Sequence, residues 1–149
     1  MPPDAYVADV RSGNVSVYDS GFEVGSVSPA PIQVVVNSGA GAIQGVVRNG
    51  AGKPVAFASV TLAPEQNRRQ NHALYTDATS DSDGKFTIRG IAPGDYKLFA
   101  WEQTVWLGAR QNPAFIAKHE EFGRPVKVAE RATVAAEVNA ITSEKERQR

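Results

Sequence analysis

The segment from Asp81 to Ala100 constrains the fold more than any other part of the chain, because it alternates turn chemistry with strand chemistry twice in quick succession. Asp83-Gly84 supplies a turn that tolerates positive φ, and Phe86 and Ile88 then alternate with polar residues at the period of a half-buried strand. Pro93-Gly94 predicts the next turn, with proline presetting φ at the first central position and glycine taking a left-handed second one. Tyr96, Leu98 and Ala100 then point to one side, and Lys97, Phe99 and Trp101 to the other. Two short strands joined this way belong to an antiparallel β-sandwich.

The same reading extends along the chain. Ala42 to Arg48 is a strand with Ile43, Gly45 and Val47 on one face, closed by the turn-rich stretch Asn49 to Pro54. Ser59 to Ala63 is the next strand, with Val60 and Leu62 inward; Glu65 to His72 reads as an exposed polar loop, and Leu74 to Ser80 returns as a strand. Between Glu102 and Arg124 the period changes, and Pro113 to Phe122 fits a short helix with proline in its first turn and Gly123 as its stop. Val126 to Val128 and Val134 to Ile141 complete the sheets. The expected fold is all-β: a seven-stranded Greek-key-type sandwich with one short helix in a long loop.

Extra strands precede it. Tyr6 to Val10, Val15 to Val24 and Ile32 to Val36 are strand-like, and Pro3-Asp4-Ala5-Tyr6 repeats the punctuation of Pro93-Gly94-Asp95-Tyr96. The expected organisation is therefore residues 1–38 as the second half of a preceding repeat, 39–142 as a complete sandwich, and 143–149 as a charged mobile tail. On that reading the chain is a piece of a longer protein. Its N-terminal strands are expected to lie along an edge of the sandwich or to pair with a second chain as a homodimer.

Composition excludes several functional classes. Sixteen basic residues balance sixteen acidic ones, so no net charge recommends nucleic acid as a partner. There is no cysteine for disulfides, thiolate metal sites or thiol catalysis. No apolar run has the length needed for membrane insertion as a helix. Thr79, Asp81 and Asp83 imitate the start of a calcium loop, but no glutamate closes it, and Asx-turn chemistry already accounts for aspartates at turns. His72 and His119 stand apart in polar surroundings, lack metal-ligand spacing and read as surface residues. No catalytic triad order, phosphate loop or hydrolase elbow appears, so no metal, cofactor or catalytic residue is expected.

The runs Gly41 to Arg48, Gly52 to Val55, Ala58 to Leu62, Thr79 to Phe86 and Pro93 to Leu98 together resemble the carboxypeptidase regulatory-like domain. The resemblance implies a prealbumin-like or immunoglobulin-like sandwich used as a noncatalytic accessory module in exported bacterial proteins, with flanking domains of the parent protein as partners. Related families with chemistry can be checked residue by residue. Collagen-adhesin B repeats share the Pro-Gly-x-Tyr-x-Leu strand and place the glutamate that promotes an isopeptide bond two residues after the leucine. That position is Ala100 here, and Glu102 lies about 7 Å farther along the strand. Transthyretin-like hydroxyisourate hydrolases end in Tyr-Arg-Gly-Ser, whereas this chain ends Glu146-Arg147-Gln148-Arg149.

One feature goes beyond a scaffold. Phe99 and Trp101 share the outer face of their strand, with Trp106 just beyond. Two readings follow. Phe115, Ile116 and Phe122 of the predicted helix could cover those rings as a satellite cluster, or Phe99, Trp101 and Trp106 could form an exposed aromatic platform that binds carbohydrate or peptide. The expected function is thus an accessory module acting as spacer or protein-interaction domain, with carbohydrate binding as the alternative.

Overall fold

The computed structural model describes residues 4–21, 31–102 and 112–141. Among these residues there are ten strands: β1 (Ala5–Ser12), β2 (Val15–Ser16), β3 (Ile32–Ser38), β4 (Gly41–Arg48), β5 (Ser59–Pro64), β6 (Thr76–Thr79), β7 (Lys85–Ile91), β8 (Gly94–Trp101), β9 (Arg124–Val128) and β10 (Thr133–Ile141). The helix α1 (Pro113–Lys118) runs into a 3-10 turn at Glu120–Phe122.

Strands β4 to β10 follow one hydrogen-bonded path, β6-β5-β8-β10-β4-β7, with β9 paired to β8. Strand β10 makes the corner of that path. Its first seven residues run parallel to β4, and then Ala140 and Ile141 pair with Ala100 and Trp101 of β8. The path folds into two layers that share one core, in which Ile43, Val47, Phe86, Ile88, Ala136 and Val138 meet Val60, Leu62, Tyr96, Leu98, Val126 and Val128. The expected seven-stranded sandwich is therefore present, and Tyr96, Leu98 and Ala100 face its core. Close contact at the corner requires Gly45: a Cβ there would stand 2.2 Å from the Ala136 carbonyl oxygen and 2.6 Å from the Phe86 ring.

The Asp83-Gly84 turn is as expected, and two other segments differ. At Asp83-Gly84 the left-handed residue is Gly84, φ 77°, and the Asp81 carboxylate accepts from the Asp83 and Lys85 amides at 2.8 and 2.9 Å. Before β8, however, the left-handed residue is Gly90, φ 70°, and Gly94 is already extended strand. Gly90 lies within β7 at the register shift between the Ile43–Ile88 and Gly41–Ile91 pairs, so its left-handed conformation serves a β-bulge. The stretch Glu65 to His72 is not a plain exposed loop either. It forms 3-10 turns at Gln66–Arg68 and His72–Leu74, with Arg69 and Asn71 buried, and β6 begins only at Thr76.

The N-terminal strands form a separate sheet, β2-β1-β3, and do not add to an edge of the sandwich. Of the segment expected as a strand from Val15 to Val24, β2 holds two residues, and 22–30 lie outside the described residues. Strand β3 runs antiparallel to β1, whereas β10 runs parallel to β8, so the two segments share their strand-start punctuation but not their pairing. The small sheet is fastened to the sandwich by polar contacts. Asp19 takes two bonds from Arg68 at 2.9 and 3.0 Å and one from Asn71 at 2.8 Å, and the Ala40 amide donates to the Asp4 carbonyl at 2.8 Å. The tail 143–149 lies outside the described residues.

Candidate binding surfaces

Asn112 caps α1 by accepting from the Ala114 and Phe115 amides, at 2.9 and 3.2 Å, and Pro113 presets its first turn. The helix so placed lies over the outer face of β8. Phe99 is 0% and Trp101 1% exposed, packed with Ile116, Tyr75 and Ile141 and flanked by Phe115 and Phe122. Ring centroids of Phe99 and Trp101 are 6.0 Å apart at 14°, and His119 meets the Trp101 ring edge-on at 6.1 Å. These two residues therefore form a covered cluster and not an exposed platform: their large apolar faces gain more from α1 than from water. Trp106 lies outside the described residues. His119, expected on the surface, is 5% exposed because it closes this cluster, with Nδ1 2.9 Å from the Phe115 carbonyl. His72 is exposed and stacks on Tyr75.

Beyond the end of α1, the same sheet face opens into a groove of about 670 Å³ between the Gln66–Arg68 turn and the start of β8 and β9. Its floor is an ion network that sequence reasoning did not find. Glu120 accepts from Arg69 at 2.9 and 3.2 Å, from Lys97 at 2.9 Å and from Gln66 at 3.3 Å. Burial acts to raise the Glu120 carboxyl, but the hydrogen bonds from Arg69 and Lys97 outweigh it and hold the group at about 2. The Arg69 side chain is nearly buried, its Nε donates to the Pro64 carbonyl, and its own carbonyl accepts from the Tyr75 hydroxyl at 2.7 Å. These charges are spent on one another and tie the 65–75 segment to the 3-10 turn after α1 and to β8. Arg69 and Glu120 lie 51 residues apart, and nothing local in the sequence couples them. At the groove's upper end burial pushes the Tyr96 hydroxyl up to about 12, and it donates to the Ala92 carbonyl at 2.6 Å. Gln66, Asn67, Asp95 and Lys127 supply its polar rim.

The N-terminal sheet carries the second surface. Cross-strand partners share a face, and the pairs Val7–Val36, Val10–Val34, Ser12–Ile32 and Ser12–Val15 put the aliphatic residues together. Val15, Ile32, Val34 and Val36 are 65%, 42%, 53% and 49% exposed, which makes them unlike the core valines of the sandwich. The opposite face carries Asp9, Arg11, Ser16, Gln33 and Asn37 with Val35 and Tyr6 among them, and Asp9 is held below its ordinary value by hydrogen bonds from Ser16 and Arg11, at 2.6 and 2.8 Å. A bulge at Ala8 keeps this sorting consistent on both sides of it. Phe57 is the third outward feature, 70% exposed at φ 58°, a left-handed conformation that bulky residues rarely adopt.

Chemically, these surfaces offer contact area and hydrogen bonds. Ala100, at the isopeptide glutamate position of the adhesin repeats, is buried in the core, and Glu102 is exposed. Among the described residues no group of three or more metal-ligating side chains converges, and no helix is long and apolar enough to cross a membrane.

No curated protein matches the chain. Among solved structures, a candidate carbohydrate-binding protein of Pseudomonas aeruginosa aligns at 14% identity and TM-score 0.46, over 68% of this chain and 88% of that one. The minor pilin of Streptococcus agalactiae aligns at 19% and 0.45, over 72% of this chain and 47% of its own. The major pilin subunit of Bacillus cereus aligns at 16% and 0.43, over 75% and 32%. The chain thus spans less than half the length of either pilin. Residues 42–112 match the family model of the carboxypeptidase regulatory-like domain. That match runs from β4 through β8 to the cap of α1, the part that builds most of the two-layered core, and over these residues the chain is similar to the carboxypeptidase regulatory-like domain.

Proposed function

We infer that the chain is a noncatalytic accessory module of a larger exported bacterial protein, in which the sandwich is a rigid spacer and the N-terminal sheet holds a neighbouring protein surface. The observation that carries this reading is the sorting of the small sheet into a face that carries the Asp9 hydrogen bonds and a face on which Val15, Ile32, Val34 and Val36 stand exposed. A sheet with one bare aliphatic face is half of a packed pair. The buried ionic groups support the noncatalytic part, because Arg69, Lys97 and Glu120 are committed to each other. Export and a bacterial source rest on the family resemblance.

The test is a photo-crosslinking residue placed at Val15, on the strand farthest from β3, in cells producing the parent protein, with exposed Lys85 on the sandwich as control. Adducts to protein segments outside this chain at position 15 and not at 85 are expected. Absence of adducts at 15, or equal yields at both, would overturn the reading.

The groove beside Tyr96 favours a second reading. Gln66, Asn67, Asp95 and Lys127 are the kinds of groups that hydrogen-bond sugar hydroxyls, so carbohydrate binding moves from Phe99 and Trp101 to this groove. Glycan-array binding lost in Asp95→Ala would support it, and an array without hits would sink it.

A further inference from the structure

We propose that β3 is a self-pairing edge: two copies of the chain associate by antiparallel pairing of β3 with β3 about an axis at Val35, joining their N-terminal sheets into one six-stranded sheet. The contact uses the edge of the sheet and leaves its aliphatic face free, so it is independent of the crosslinking test above.

Strand edges with unpaired amides and carbonyls recruit other strands unless something blunts them. The other terminal strands here are blunted. Strand β2 has two residues, β6 has four and includes Asp77, β7 carries Lys85, Arg89 and Gly90, and β9 carries Arg124, Pro125 and Lys127. Strand β3 has none of these protections. It is a seven-residue run without charge, proline or glycine, six of its residues are exposed, and among the described residues no strand pairs with its outer edge.

The sequence of β3 fits its own reverse. With the axis at Val35, Val34 lies opposite Val36 of the second copy, Gln33 opposite Asn37, and Ile32 opposite Ser38. Valine meets valine on the apolar face, with Ile32 meeting Ser38 at its ends, and carboxamide meets carboxamide on the opposite face. Moving the axis to Val34 sets Gln33 against Val35 and leaves Asn37 and Ser38 without partners. No like charges face one another in the Val35 register, and the two-fold operation closes, which limits the assembly to a dimer. An edge of this length is smaller than a standard interface, so association falls in the micromolar to millimolar range of about 1 µM to 1 mM.

Sedimentation velocity over that concentration range, with amide hydrogen exchange at its two ends, tests the proposal. A monomer–dimer equilibrium is expected, with exchange of residues 32–38 slowing as dimer forms. Val34→Lys with Val36→Lys sets like charges across the axis and should weaken the dimer more than tenfold. Val34→Lys with Val36→Glu sets opposite charges across it and should hold the dimer at least as tightly as the native chain. A monomer at about 1 mM, growth beyond a dimer, dimerisation without protection of 32–38, or equal weakening by the two double variants would overturn the proposal.

Discussion

Glu120→Gln removes the carboxylate that holds Arg69 and Lys97 and leaves the nearly buried Arg69 guanidinium facing a neutral amide. Two estimates of the cost converge. Breaking a buried pair by removing one partner costs about 3–5 kcal/mol, and the one-fifth exposure of the Glu120 side chain moves this site to the low end. Independently, a carboxyl held at about 2 instead of its ordinary 4.5 contributes about 3 kcal/mol above that ordinary value, reduced to about 2 by solvent screening. The expected loss near neutral pH is therefore about 2–4 kcal/mol. Because the folded value is the lower one, this contribution is complete above 4.5 and disappears as the pH falls toward about 2. Urea unfolding of both proteins at a series of pH values should show the gap between them closing through that window. A variant that loses less than about 0.5 kcal/mol, the size of an ordinary surface change, would refute the network's structural role, and so would a gap that stays constant down the acid limb.

Leu98→Ala should cost about 2–5 kcal/mol, since Leu98 is fully buried, while Lys97→Ala on the other face should cost about 1 kcal/mol through its partly exposed pair with Glu120; equal losses in chemical denaturation would invert the facing of β8. Gly45→Ala should destabilise by about 1–3 kcal/mol, because neither the Ala136 carbonyl nor the Phe86 ring has room to retreat; an unchanged unfolding midpoint would disprove that corner. In Trp106→Phe, the remaining Trp101 emission should be blue and insensitive to acrylamide, and a red, quenchable signal would mean that α1 does not cover it.

The sandwich was legible in the sequence because its determinants are local. Alternation at Phe86 and Ile88, the Asp83-Gly84 turn and the Pro113 helix start each act over a few residues, and each reappears in the structure. The covering of Phe99 and Trp101 was legible only as one of two readings, because alternation gives a face but not what packs on it. The Arg69–Glu120–Lys97 network was not legible at all. A polar run such as Glu65 to His72 looks solvated in sequence, and burial of Arg69 depends on a carboxylate 51 residues away, on the 3-10 turn that follows α1. His119 was misplaced for the same reason: its neighbours in the chain are polar, while its neighbours in space are Trp101 and Phe115. In the N-terminal segment the valines announced strands, but alternation could not say that their apolar face would stand bare.

That bare face is the account's central claim, and binding of an apolar fluorescent dye to the native chain measures it most directly. Replacing Val15, Val34 and Val36 together by threonine keeps β-branching and shape while making the face polar. The account predicts that the native chain binds the dye and that the triple variant loses most of that binding with its near-ultraviolet circular dichroism unchanged. Dye binding that is absent from the native chain, or that survives the triple substitution intact, would contradict it.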